Sequence, residues 1–249
     1  MLDKNTKKLV RKYITDSCND LTTLRTEVIN LKKSIFKEIY DLQMGNLQGI
    51  IDVIYKLAAI NYELSNSIYD NICNGNLLAT HGLLRWQLIL WQKAFVLFND
   101  PISYQKWTEN KEIKESYLRK YIRKFMILNS PKMISTNPYR LILDDDWVDF
   151  NNLSKMLHLK NESIEPLVQL STLTEFNSLE KHFIKKLLFT EIRNTARFLT
   201  VAIHLLDSIK NRKMKKDDPI NVQIESIDER LYIIRKELNN NEKEMGWLD

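Results

Sequence analysis

No glycine stands between Gly82 and Gly246, and the five prolines, at positions 101, 131, 138, 166 and 219, lie apart from the longest apolar-periodic runs. These two residue types interrupt helices most readily, so those runs are free to continue as helices over many turns. Sustained period-two alternation, the mark of strands, is absent. The chain is therefore predicted to be all-α, a bundle of long helices with coiled-coil-like terminal helices.

Residues 7–43 read as one long amphipathic helix. Ile14, Leu21, Val28, Ile35 and Leu42 recur every seven residues, with Leu24 and Leu31 between them, a narrow seam of the kind that pairs long helices. A second helix is expected over about 47–73, ended by Asn74-Gly75-Asn76, residue types that tolerate the left-handed conformation of a C-cap. The third, about 77–99, is apolar almost all round, as a central helix is, and Asp100-Pro101 closes it. Residues 102–128 form a basic, tyrosine-bearing segment, helical from Lys111. An irregular insertion is expected near 129–146, which carries Pro131, Pro138 and the start of the Asp144-Asp145-Asp146 run. A short helix over 147–158 follows. Thr172 and Glu175 have capping-box spacing for a long helix reaching about 210. A charged linker, Asn211 to Pro219, leads to a last helix over 220–242 with another seam: Ile224, Ile227, Leu231, Ile234 and Leu238. The expected organisation is a helical bundle domain over 1–218 and a C-terminal helix over 219–249.

Composition narrows the function classes. The formal charge of +5 permits a polyanionic partner without requiring one. Cys18 and Cys73 are the only cysteines and form no CxxC or CxH spacing, which speaks against a zinc or redox motif. No glycine-rich phosphate loop, nucleophile elbow or HExxH occurs. The most apolar stretch, Trp86 to Phe98, is short and is interrupted by Gln92-Lys93. The N-terminus lacks the apolar core of a secretory signal. A cytoplasmic protein with no membrane segment, no cofactor and no metal is the expectation.

Four groups of residues could carry chemistry. His81, Arg85 and Gln92 share one side of the third helix. A guanidinium among tryptophans and leucines needs a carboxylate from another helix, or else an anion in a cleft. Between 102 and 143, nine cations face three glutamates, and Tyr117 and Tyr121 are interleaved with Lys120, Arg123 and Lys124. Cations beside rings suit a nucleic-acid backbone with exposed bases; a solvated face with inward tyrosines is the alternative. Asp144-Asp145-Asp146 offers either a helix N-cap or a cation ligand set. On the long helix, Lys186, Arg193, Arg197, Thr200 and His204 fall together opposite the Leu188/Ile192/Leu199/Leu206 side. They are read either as the polar outer face of an amphipathic helix or as a site.

Arg197 and His204 enclose six residues. That spacing, with the all-helical context, resembles the Arg-x(4–6)-His motif of the HEPN superfamily, whose ribonucleases are small, usually dimeric helical bundles that cleave RNA without metal. The resemblance implies that Arg197 stabilises phosphate charge and His204 moves a proton, in a toxin or defence component. The leading expectation is thus an HEPN-like protein that binds or cleaves RNA. The alternative is a non-catalytic helical scaffold or adaptor. In either case the seams provide for a homodimer or a helical partner protein.

Overall fold

The structure, a computed structural model, describes residues 4–44, 49–133, 178–210 and 218–244. Among these residues there are eight helices and no strand, as the all-α expectation requires. They are α1 (Lys4–Ser17), α2 (Asn19–Met44), α3 (Ile50–Cys73), α4 (Leu77–Asn99), α5 (Pro101–Thr108), α6 (Glu115–Met133), α7 (Ser178–Ile209) and α8 (Pro219–Glu244). None is long and apolar enough to cross a membrane.

The expected helix over 7–43 is two helices that meet at Cys18. The backbone ladder survives the break: the Cys18 amide donates to the Ile14 carbonyl at 3.2 Å, and the Thr22 amide to the Cys18 carbonyl at 2.9 Å. The cause is local. Thr15-Asp16-Ser17 and Asn19-Asp20 are short polar residues that compete for backbone groups, and Thr22 Oγ1 donates to the Asn19 carbonyl at 3.0 Å. The seam runs through the break, with Ile14, Leu21, Leu24, Val28, Leu31 and Ile35 all buried.

α3 ends where expected. Gly75 takes φ 70°, its amide reaches the Ile72 carbonyl at 2.9 Å, and the Asn76 amide reaches the Asn71 carbonyl at 2.8 Å. These are the two bonds of a Schellman stop. After α4, Asp100 caps α5, whose first residue is Pro101. Two expectations are corrected here. Residues 101–108 are helical, whereas 111–114, expected as helix, are not, because Glu109 ends α5 and Asn110 turns left-handed at φ 55°. α6 also runs through 129–133, expected as insertion. Pro131 falls in its last turn, where a missing amide forfeits only one bond. The rest of that insertion, the Asp144-Asp145-Asp146 run, the 147–158 helix, the Thr172/Glu175 box and most of the charged linker lie outside the described residues.

α7 is the hub. α2, α3, α4 and α8 pack around it, and α3 and α4 make the most extensive helix pair. Every residue from Leu187 to Ile203 is buried, so α7 has no outer face over nearly five turns. α8 buries its seam against α7 and α2: Ile227, Leu231 and Ile234 belong to the same apolar core as Leu188 and Ile192.

Candidate functional site

Encircling a helix that carries polar residues forces those residues to find partners inside the bundle. Glu191 of α7, with 1 % of its side chain exposed, sits at the centre. It accepts from Ser65 Oγ of α3 at 2.5 Å, from Arg25 Nε of α2 at 3.2 Å and from Thr195 Oγ1 at 3.3 Å. Gln87 of α4 donates to Thr195 Oγ1 at 2.9 Å. Arg25 also donates from Nη2 to the Ser65 carbonyl at 3.2 Å, and its guanidinium lies 3.9 Å from the Tyr69 ring centroid. Four helices thus meet in one buried polar layer.

The layer is not saturated. Among the described residues, none hydrogen-bonds Lys32 Nζ or either polar atom of the Asn61 amide, although Lys32 is 3 % and Asn61 0 % exposed. Lys32 rests 4.7 Å from the Tyr62 ring centroid. Burial pushes its ammonium down to about 8, against the opposing pull of Glu191.

The sequence reading missed Arg25, Lys32, Asn61, Ser65 and Glu191. A signal for two of them exists. Ile54, Asn61 and Ile68 form a heptad column, as do Ala58, Ser65 and Ile72. A polar residue inside an apolar heptad column marks a buried polar layer.

The α7 stripe is corrected. It is not an outer face: Arg193, Arg197 and Thr200 are buried. The Arg197 guanidinium lies 5.3 Å from the Trp91 ring centroid, and that of Arg193 4.9 Å from Phe189. Thr200 Oγ1 bonds back to the Ala196 carbonyl at 3.0 Å. Lys186 pairs with Glu242 of α8, which His182 also approaches at 3.1 Å. His204 is half-buried, and burial pushes its imidazole down to about 4, so it is neutral at pH 7. Arg197 and His204 share a helix face as expected, but a phosphate reaches Arg197 only if the bundle opens.

The α4 stripe separates into two kinds of residue. His81 is buried, stacks on Phe183 at 5.3 Å and lies 2.7 Å from the Leu77 carbonyl through Nδ1. Burial pushes it down to about 4. Gln92 is buried as well. Arg85 meets the expected carboxylate, donating to Glu115 of α6 at 3.0 Å.

The basic face on α6 keeps its charges in solvent. Lys120, Arg123 and Lys124 are exposed and form no ion pair with any described residue. The tyrosines are tied down by their hydroxyls, Tyr117 to Asp100 Oδ2 at 2.8 Å and Tyr121 to the Asn99 carbonyl at 2.7 Å. Tyr117 remains 40 % exposed beside the cations.

Among the described residues, a surface furrow lies elsewhere, between α2 and α3. A furrow of about 780 Å³ has Phe36 and Tyr40 on one wall and Ile60 and Leu64 on the other, with Tyr62 beside them. Tyr40 is 43 % and Ile60 48 % exposed. Each wall is a helical stripe with i, i+3, i+4, i+7 spacing: Lys33, Phe36, Lys37, Tyr40 against Ile60, Glu63, Leu64, Ser67. Such paired stripes are the ridges between which a third helix seats.

Among the described residues, no group of three or more histidine, cysteine, aspartate or glutamate side chains is arranged to hold a metal ion. No family model, curated protein or solved structure matches the chain.

Proposed function

We propose that the protein is a non-catalytic helical scaffold or adaptor, which assembles with a protein partner seated in the furrow between α2 and α3. The observation that carries this reading is the run of exposed tyrosine and isoleucine along two parallel helical stripes. Single exposed apolar residues are ordinary, but a contiguous apolar furrow rimmed by charge marks an interface. The burial of Arg197 weighs against catalysis. A photoreactive amino acid placed at Ile60 should give, in cells, one discrete adduct of defined identity by mass spectrometry, and the adduct should vanish when Tyr40 is changed to Asp. The same probe placed at exposed Lys181 of α7 should give none. Absence of an adduct from Ile60, or the same adduct from both positions, refutes the reading.

A second reading, RNA binding through α6, is favoured by Lys120, Arg123 and Lys124, exposed and without an ion pair among the described residues, beside Tyr117. Each phosphate contact releases counterions, so the triple change to Gln should flatten the salt dependence by about two units of slope on single strands. An unchanged slope removes α6 from RNA binding. The HEPN-like cleavage reading has its own assay: total RNA incubated with the purified protein, with and without EDTA. Cleavage that disappears in His204→Ala would establish that reading in place of the scaffold.

A further inference from the structure

We infer that the furrow between α2 and α3 receives α8 of a second copy of this chain, in a reciprocal dimer. The inference rests on the reading of the furrow as a docking seat and names its occupant. The occupant's chemistry is set by the furrow wall. Lys33 and Lys37 stand one turn apart on α2, both exposed, and neither forms an ion pair among the described residues. A helix lying there must bring apolar residues for Phe36, Tyr40, Ile60 and Leu64, and carboxylates one turn apart for the two lysines.

α8 carries that pattern on the face it turns away from its own core. Its buried seam is Ile224, Ile227, Leu231, Ile234 and Leu238. On the opposite side Val222, Glu225, Glu229 and Ile233 follow one another at three- and four-residue steps, which places them in one stripe. Val222 is 51 % and Ile233 56 % exposed. Glu225 and Glu229 form no ion pair among the described residues, and from 218 to 229 the helix carries no cation. Their spacing along the axis, about 6 Å at 1.5 Å per residue, equals that of Lys33 and Lys37. The stripe spans about 16 Å and the furrow walls about 10 Å, so the acidic pair and one flanking apolar residue fit within the furrow length.

The fold places both surfaces against the same helix. α8 packs on α2, with Arg230 bonded to Glu27 at 2.5 Å, and α3 packs on α2 as well. A two-fold axis near α2 carries each α8 onto the other copy's furrow. The two contacts are then equivalent, and the assembly closes at two copies instead of growing into a filament. Docking covers the exposed apolar residues of α8 and of the furrow together, and matches two free cations to two free anions, which sets register.

Sedimentation velocity on the purified chain tests this. The wild type should be dimeric at micromolar concentration. Reversing the cations (Lys33→Glu with Lys37→Glu) should weaken the dimer by roughly tenfold or more, since two attractive contacts per groove become repulsive. Reversing the acids (Glu225→Lys with Glu229→Lys) should do the same. The chain carrying all four changes should recover the wild-type dissociation constant to within about threefold, a result that damage to folding cannot produce. A monomeric wild type at about 100 μM overturns the inference, as does a dimer indifferent to the charge reversals or not restored by the fourfold swap. A monomeric chain whose Ile60 probe still captures one defined foreign protein overturns this inference alone and leaves the scaffold reading standing. A dimer with the expected swap behaviour supports it whether or not any foreign partner is found.

Discussion

Removing Arg25 should cost far more stability than neutralising the carboxylate it faces. Glu191 cannot reach water: its side chain is 1 % exposed, at the middle of α7 and enclosed by four helices. The guanidinium of Arg25, 12 % exposed, lies toward the rim of the same layer against Tyr69. In Arg25→Met, Glu191 keeps the Ser65 and Thr195 hydroxyls but loses the one counter-charge that hydrogen-bonds it among the described residues. Leaving a buried charge uncompensated costs about 3–5 kcal/mol. The bond to the Ser65 carbonyl adds about 1 kcal/mol, and the stack on Tyr69 about half as much. In Glu191→Gln the amide still accepts from Ser65, and Arg25 is near enough to the rim to find solvent, so the loss should be about 1–2 kcal/mol. The double change Arg25→Met with Glu191→Met should recover most of the Arg25→Met loss, since an apolar pair needs no partner. Urea unfolding followed by circular dichroism reads all three values as midpoints at constant slope. A protein with a total stability of about 5–15 kcal/mol shows a 3–5 kcal/mol loss plainly. Two results would refute the reasoning: an Arg25→Met cost below that of Glu191→Gln, or a double variant no more stable than Arg25→Met.

Three further outcomes follow from the same interior. Asn61→Leu should stabilise by about 1–2 kcal/mol, raising the melting temperature, because a buried amide with no hydrogen bond among the described residues gives way to an apolar side chain of similar size. His81 and His204 are held at about 4 by burial, below the usual 6.5. The stability they contribute is present above pH 6.5 and is lost as pH falls from 6.5 toward 4, by up to about 1.4 kcal/mol per pH unit each. In NMR spectra neither ring should titrate between pH 5 and 8. Burial alone would raise Glu242, but hydrogen bonds from His182 and Lys186 hold it at about 2. Its contribution is therefore present above pH 4.5 and lost as pH falls toward 2, so Glu242→Gln should lower stability at pH 7 by about 1–2 kcal/mol and flatten the acid limb of the profile.

Local chemistry wrote much of this architecture into the chain. The stop of α3 needed only Asn74-Gly75, because a left-handed C-cap is decided by the residue that adopts it. The end of α4 needed only Asp100-Pro101, since a proline restricts the residue before it. The seams of α2 and α8 were legible because an apolar column every third or fourth residue has one economical use, burial against another helix. The break at Cys18 was less legible, since it arises from a run of individually weak helix formers and not from a single breaker.

What lies against a polar face is a different kind of information. Arg193, Arg197 and Thr200 gave α7 a polar side, and periodicity reports that such a side exists without reporting what faces it. Only the packing of α2, α3, α4 and α8 around α7 decided that this side meets Trp91 and other buried groups instead of water. The same holds for Glu191, whose partners Arg25 and Ser65 are 166 and 126 residues away in sequence. A hydrogen bond across that separation is set by which helices become neighbours, a choice made by the whole core at once. The all-α character, the ends of α3 and α4 and the apolar seams were properties of the sequence. The buried polar layer, the enclosure of Arg197 and the furrow between α2 and α3 exist only because of tertiary contacts.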